Sequence, residues 1–565
     1  MAGGVKKPVN IFKLKNLGEP NEVFNWRLWF AVFSFGLLGA ARGVDEGLIS
    51  GAFNAKNFQQ SINYDSYSAY ERANIKANVS SMVQMGCVAG ALIAFLICDK
   101  IGRIWATRQL CVLWIFGIAI FMGSNGNLGA IYAGRFIAGL GVGQTAVVGP
   151  VYIAEIAPAS VRGLCTCIFT GFVYLGIVLA YFTNYGCQVN MGDDTPNRWL
   201  VPTSLHIMFA GIIFLLTFLQ CESPRYLIKQ GKYQKALEVM SRLRHLPQDH
   251  EYVQREINAI TLSHHEEMEA TKGAGPLGII KEAFGIKSNL YRVVLTITAQ
   301  IMSQWSGAGS ITLYAPDLFH ILGIRGTNEK LLITGVFGIT KLVAAVLCAL
   351  FLVDFIGRKR SLMIGITFQA VSMVYVASFL TAVPGLGGGG DDYRLGGSEL
   401  AASRGAIAMI YLSGFGWALG WNSMQYLLTA ELFPLRIRAF CTSLAMTFHF
   451  VNQYGNSRAV PNMLLPVADG GISPQGTFWC FAAVTIIGGL WVWFFVPETA
   501  GRTLESMDRL FSLPWYKIGL YGNRDAEIQD AAANEKGDLA DATRANIEMQ
   551  GTSSNDTHDA IRRAS

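Results

Sequence analysis

Charge is what this sequence has least of. Only 15% of its 565 residues are Asp, Glu, Lys or Arg, against roughly 25% in a soluble globular domain, while 52% are hydrophobic. Such a chain cannot clothe itself in polar groups, which excludes a water-soluble globular protein and points to lipid. The ten cysteines lie mostly inside apolar runs, so no disulfide framework is read. The pair in "CTC" (165–167) is too little for a metal site, and no metal is assigned. The net charge of +6 is accounted for by basic loops, so nucleic acid is not read as a partner. No nucleophile, base and oxyanion donor can be assembled from the motifs, so no enzyme and no cofactor is implied. The first 26 residues are largely polar and the run after them is long enough to span, so no cleavable signal peptide is read.

What the chain does have is long hydrophobic runs. A transmembrane helix needs about 20 mostly apolar residues, and twelve candidates are present. Six run over 27–51, 74–98, 107–123, 129–155, 164–185 and 200–220, and six over 290–315, 331–353, 361–382, 405–430, 439–458 and 476–496. Several carry Gly, Ser or single polar residues, which suit helices lining a protein interior. The expected fold is therefore an all-α membrane bundle of twelve helices. Lys6, Lys7, Lys13 and Lys15 precede the first span, and Lys100, Arg103, Arg108, Arg225, Lys229, Lys232, Lys235, Arg358, Lys359 and Arg360 follow the second, sixth and eighth. Basic short loops stay cytoplasmic, so both termini are expected there, with the plasma membrane as the expected location.

The two sets of six echo one another. "CDKIGR" after the second span answers to "VDFIGR" after the eighth, pairing Asp99 with Asp354 and Arg103 with Arg358. "AEIAPASVRG" after the fourth answers to "AELFPLRIRA" after the tenth, pairing Glu155 with Glu431 and Arg162 with Arg438. "ESPR", with Glu222 and Arg225, has its partner in "PETAGR", with Glu498 and Arg502. Two matched halves are what alternating access needs. The expected domains are a cytoplasmic segment 1–26, a first half 27–222, linker helices 223–289, a second half 290–498 and a tail 499–565, flexible from about 515. Glu and Arg at helix ends in opposed halves can pair across the cytoplasmic mouth in one state and part in the other, a bistable latch.

These repeated motifs, with "GRFIAGLGVG" (134–143), "ESPRYL" and "PETAGRTLE", resemble the sugar porter family of the major facilitator superfamily over Asn25 to Phe511. "NWR" (25–27) and "LPQDHEYVQREI" (246–257) resemble its fungal quinate-permease and sugar-acid branch. The resemblance implies a proton-coupling pair, the Asp of "GYDxGxxxG" and the Arg of "GR", here Asp45 and Arg135; Val44 replaces the family Tyr. Residue by residue it also implies a substrate site. Gln304, Gly307 and Tyr314 match the seventh-span motif, while Ser303 stands for its first Gln, Gly309 for its Asn and Leu313 for its first Tyr. Thr170 falls on the fifth-span Gln, Gln425 on a tenth-span Pro, His449 on an eleventh-span Asn and Lys341 on an eighth-span Asn.

Taken on their own chemistry, these positions fit that scheme. An intramembrane acid costs about 2.5–3.5 kcal/mol on insertion scales and is by default functional, with a partner. Burial and a nearby Arg act oppositely on a carboxylate, so a change of access can make Asp45 hold or release a proton. Glu46 lies about 100° further round the helix and is expected to face the external vestibule. Gln304, Gly307 and Ile311 share one face at helical spacing with Ser303, Ser310 and Tyr314 beside it, and Tyr174, Trp421, Asn422 and Gln453 complete the expected lining. Trp417 and Trp421 read either as a stacking platform for a sugar ring or as core. Lys341 would welcome a carboxylate, and His449 can also carry positive charge. The expected function is proton symport of a monosaccharide or sugar acid, galacturonate- or quinate-like. Transport of neutral sugars such as rhamnose, xylose or hexose and a non-transporting sugar receptor remain as alternatives. The expected partners are that small molecule, the proton and the bilayer.

Overall fold

The computed structural model describes residues 20–158, 161–192, 195–271, 276–348, 357–386, 395–422, 432–499 and 504–520. Asp354, Gln425, Glu431 and Arg502 lie outside them. The first six crossings are α1 (Trp26–Phe53), α2 (Ala69–Ile101), α3 (Arg103–Met122), α4 (Leu128–Ile156), α5 (Arg162–Asn190) and α6 (Asn197–Leu216). Two linker helices, α7 (Tyr233–Arg244) and α8 (Glu251–Thr271), follow. The seventh crossing is broken into α9 (Lys287–Trp305), α10 (Ala308–Leu313) and α11 (Ala315–Ile321). Then come α12 (Thr327–Leu347), α13 (Arg358–Ala382), α14 (Gly397–Leu419), α15 (Leu435–Met463) and α16 (Ser473–Phe495).

Among the described residues, nine helices are long and apolar enough to cross a membrane: α1 to α6, α12, α13 and α16. The other three crossings are the seventh, α14 and α15. The seventh is interrupted at Gly307, whose φ of +87° only glycine adopts freely, and α15 bears His449, Gln453, Asn456 and Arg458 along its length. Large apolar side chains such as Phe116, Leu215, Ile487 and Leu490 lie exposed on the outside of the bundle. Hydrocarbon, which offers no hydrogen bonds, is the solvent that suits that surface.

Helix ends follow from their sequences. Ser68 caps α2 in a reciprocal box with Glu71, the Ser68 amide donating to the Glu71 carboxylate at 2.9 Å. Asn127 caps α4, accepting from the Gly129 amide at 2.9 Å. The α2 to α3 turn needs Gly102 at φ +90°, and the turn before α13 needs Gly357 at φ +98°. Beyond each glycine a carboxylate from further along the same half caps the new helix. Glu222 accepts from the amides of Arg103 (3.0 Å) and Ile104 (3.2 Å). Glu498 accepts from those of Arg358 (2.7 Å) and Lys359 (3.1 Å). Negative charge on free helical N–H groups is favourable, and the repeat seen in sequence is a repeated brace in space.

The halves meet mainly where α2 lies against α15 and α5 against α12. At the end far from the linker they are also tied by side chains, Lys76 to Asp317 at 2.8 Å and Arg458 to Asn74 at 2.9 Å. The linker rests on the first half. Arg244 is fully buried, holds Glu256 through two contacts of 2.8 and 2.6 Å, and donates to the Ile156 carbonyl at 2.9 Å. Arg244→Ala is therefore expected to destabilise the protein by about 2–3 kcal/mol, the scale of a hydrogen bond to a charged group, read as a lower thermal midpoint in detergent. The tail stays docked past 515, where composition had suggested flexible chain. Trp515 stacks on Phe495 at 6.2 Å, Ile518 is buried, and the Lys359 ammonium donates to the Gly519 carbonyl at 2.7 Å.

Candidate functional site

Two polar centres lie inside the bundle. The first is built by α1, α4 and α6. Asp45 and Arg135 are each 2% exposed, and the Arg135 guanidinium donates to Asp45 Oδ1 at 2.8 Å. Arg135 Nε also donates to the Val79 carbonyl at 3.3 Å, and the cation sits 5.8 Å from the Phe121 ring centroid. A buried pair of this kind is a poor stabiliser on balance, and removing one partner strands a charge. His206 of α6 completes the centre, with Nε2 3.3 Å from Asp45 Oδ1 and Nδ1 3.0 Å from the Thr203 carbonyl.

The second centre joins the halves through α1, α9 and α15. Arg42, one turn before Asp45, contacts Glu46 at 3.3 Å and His449 Nε2 at 3.1 Å, and its guanidinium lies 5.3 Å from the Phe450 ring. Guanidinium can only donate, so Nε2 accepts and Nδ1 carries the His449 hydrogen, donating to Gln300 Oε1 at 3.1 Å, while the Gln304 side-chain amide lies 3.1 Å from the same nitrogen. The sequence expectation that His449 adds positive charge gives way to a neutral acceptor for Arg42. Glu46 also differs from expectation. Instead of facing an external vestibule it accepts from Gln453 at 3.3 Å across the interface, because Arg42 draws it inward.

The remaining sequence-predicted residues fall around these centres. Ser310 donates to Asn456 Oδ1 at 2.9 Å, Asn456 donates to the Gln304 carbonyl, and Tyr314 donates to the Ser457 carbonyl at 2.8 Å. Ser303 turns back to the Gln300 carbonyl at 3.0 Å. Lys341 is 3% exposed, donates to the Thr312 hydroxyl at 2.6 Å, and lies 5.3 and 5.5 Å from the rings of Tyr174 and Phe337. Gly307 leaves room for the Phe481 ring, which an added Cβ would meet at 2.5 Å. Trp417, Trp421 and Asn422 are buried, and Thr170 is half-buried on α5.

The chain, folded as twelve crossings with one polar centre inside the first half and another between the halves, also matches a known sequence pattern. Residues 31–511 fit the family model described as sugar (and other) transporter. The chain belongs to the sugar transporter family. It is 30% identical over 537 residues to a probable quinate permease of Aspergillus niger, covering 94% of this chain and 96% of that one. It is also 30% identical over 528 residues to the quinate permease of Emericella nidulans, covering 92% and 96%. Among solved structures, the proton:xylose symporter XylE bound to 6-bromo-6-deoxy-D-glucose superposes with a TM-score of 0.70 at 23% identity, over 86% of this chain and 99% of that one. The inward open conformation of XylE from E. coli gives 0.66 at 21%, over the same shares. The fold is that of the major facilitator superfamily, and the protein is a multi-pass membrane protein of a transporter family.

In this transporter the repeated motifs form braces at the linker end. Arg103 pairs with Glu155 at 2.7 Å and Asp99 at 2.8 Å, and Lys229 reaches Asp99 at 3.4 Å. The two Arg103 pairs run within the first half, and the Lys229 pair ties that half to the linker. Arg225 donates to Ser263 at 3.4 Å on linker helix α8, Arg438 holds the Phe433 carbonyl at 3.1 and 3.0 Å, and Arg162 is exposed. Sequence reasoning missed Arg42, His206, Gln300 and Thr312. The signal for the first two was present, since an ionisable residue within a span asks for a partner.

Proposed function

We propose that this transporter carries a small polyhydroxylated acid inward together with a proton, with the linker and both termini facing the cytoplasm and the plasma membrane as its site. The observation that carries the reading is how two buried cations are answered. Arg135 has Asp45 at 2.8 Å, whereas Lys341, among the described residues, has a hydroxyl and two ring faces but no carboxylate within ion-pair distance. A buried ammonium so placed favours an anionic guest, since a buried charge is costly until it is paired. The amides of Gln300, Gln304 and Gln453 and the Ser310 hydroxyl nearby supply donors and acceptors for ring hydroxyls. The permease names of the relatives agree with an acid substrate.

The mechanism follows from the first centre. While Asp45 is ionised it holds Arg135 and ties α1 to α4. When a proton neutralises the carboxylate, the tie weakens and the halves can rearrange about the substrate. The test is uptake of radiolabelled quinate or galacturonate into proteoliposomes, competed by rhamnose, xylose and glucose, with external pH recorded. Acid uptake accompanied by external alkalinisation is expected. Uptake of neutral sugars alone, without proton movement, overturns the reading.

Lys341→Asn is expected to weaken uptake of acids at least tenfold, about 1.4 kcal/mol, while uptake of any neutral competitor changes less. Equal losses for acid and neutral substrates would remove the role of the ammonium.

A further inference from the structure

His206 is a buried titratable group that the coupling scheme above does not use. Its Nδ1 faces the Thr203 carbonyl at 3.0 Å on its own helix. A carbonyl only accepts, so Nδ1 carries hydrogen. Its Nε2 then faces Asp45 Oδ1 at 3.3 Å, and both side chains are buried. If the ring is neutral and the acid ionised, two lone pairs oppose each other inside a buried site. One hydrogen ion removes the conflict by turning the contact into N–H···O. The contact is an ionic approach rather than a well-aligned hydrogen bond, room enough for the proton to come and go.

We propose that Asp45 and His206 together form one proton-binding site, with the proton held between Nε2 and Oδ1 and with Arg135 orienting the carboxylate. This rests on the proposed proton coupling and names where the proton resides. The surrounding groups support the assignment. From α1 the ring meets Asp45, and from α4 the same carboxylate is held by Arg135. From α3 it meets the edge of Trp114, ring centroids 5.9 Å apart. The charged residues of α3 are Arg103 and Arg108 and that of α5 is Arg162, all at the linker end. The charged residue of α6 itself is Arg198, two turns away and engaged by Gln188. Asp45 is thus the sole carboxylate among the described residues within ion-pair distance of the ring. In the step itself one hydrogen ion enters from water, is shared between Nε2 and Oδ1 so that the carboxylate's charge toward Arg135 is offset, and later leaves as a hydrogen ion. No heavy-atom bond changes.

The experiment needs no substrate. The full-length protein, labelled with 15N at its eight histidines, is titrated in detergent micelles by NMR, and the His206 signal is assigned by its loss in His206→Gln and, as a second variant, His206→Asn. The expected result is a one-proton step for His206 that moves by more than about one pH unit in Asp45→Asn, the scale of an opposite charge at contact, while the other seven signals stay in place. A His206 signal indifferent to Asp45→Asn, or one that never gains a proton between about pH 4 and 9, overturns the proposal. Failure of every acid to be transported would instead overturn the substrate reading and leave this result standing.

Discussion

Asp45→Asn is expected to abolish accumulation against a gradient, reducing the internal to external substrate ratio to about one, while exchange of internal for external substrate continues. The amide is close in shape to the protonated acid, so the variant imitates a carrier whose coupling site is always loaded. It can still move its halves with substrate on board, which is all that exchange requires. It cannot release a proton inside and so cannot convert the proton gradient into a substrate gradient. The change also leaves Arg135 without the anion 2.8 Å away, and breaking a buried pair by removing one partner costs about 3–5 kcal/mol. A lower thermal midpoint is therefore expected alongside the transport defect. Counterflow and net uptake measured in the same proteoliposomes separate the two effects. Accumulation at the ratio of the unsubstituted protein would sink the coupling role.

Gly43→Val is expected to prevent assembly of the first half. Helices α1 and α5 touch along a run of glycines, and at Gly43 an added Cβ would lie 1.9 Å from the Val173 carbonyl oxygen. That atom belongs to helical backbone and cannot turn aside as a side chain can, so the helices must separate. Overpacking costs typically 1–3 kcal/mol and occasionally more, and a clash with fixed backbone belongs at the high end, about 3 kcal/mol or beyond. The yield of monodisperse protein in mild detergent is the measurement. Gly171→Ala on α5, where an added Cβ meets nothing within 4 Å, is the matched control and should behave as the unsubstituted protein. Equal yields for both would show that the close approach of α1 to α5 is not needed.

Sequence reading reaches the bundle because hydrophobic length reports directly on lipid. The expected 27–51 became Trp26–Phe53, and the expected 200–220 became Asn197–Leu216. Where helices outrun the hydrocarbon the reading falls short. The span expected at 74–98 is Ala69–Ile101, since Glu71 and Lys100 continue the helix beyond the apolar stretch that betrays it. The break of the seventh crossing at Gly307 is likewise not placed by hydropathy, because Ser, Gln and Gly surround it from Ser303 to Ser310. In the site, Asp45 could be singled out because an acid amid hydrocarbon is conspicuous in one dimension. Arg42 is no less conspicuous, but its partners are Glu46 one turn on and His449 on a helix 407 positions away. Periodicity tells which residues share a face and is silent on which faces meet. That is why the partners that Glu46 and His449 find in the fold were not legible in the sequence.

The paired carboxylate braces also say where the molecule can bend. In each half the acid after the sixth crossing of that half grips the amides that open its third, through Glu222 in one and Glu498 in the other. Helices stapled in this way must travel as a block. The slack has to be taken up elsewhere, and the seventh crossing is already interrupted at Gly307 and again beside Tyr314, where Pro316 has no amide hydrogen to give. A tilt of rigid wings with flexure gathered at that doubly jointed rod keeps the amides of Gln300 and Gln304, which hold His449, close to the joint. A small bend there alters their reach while the rest of the framework keeps its form.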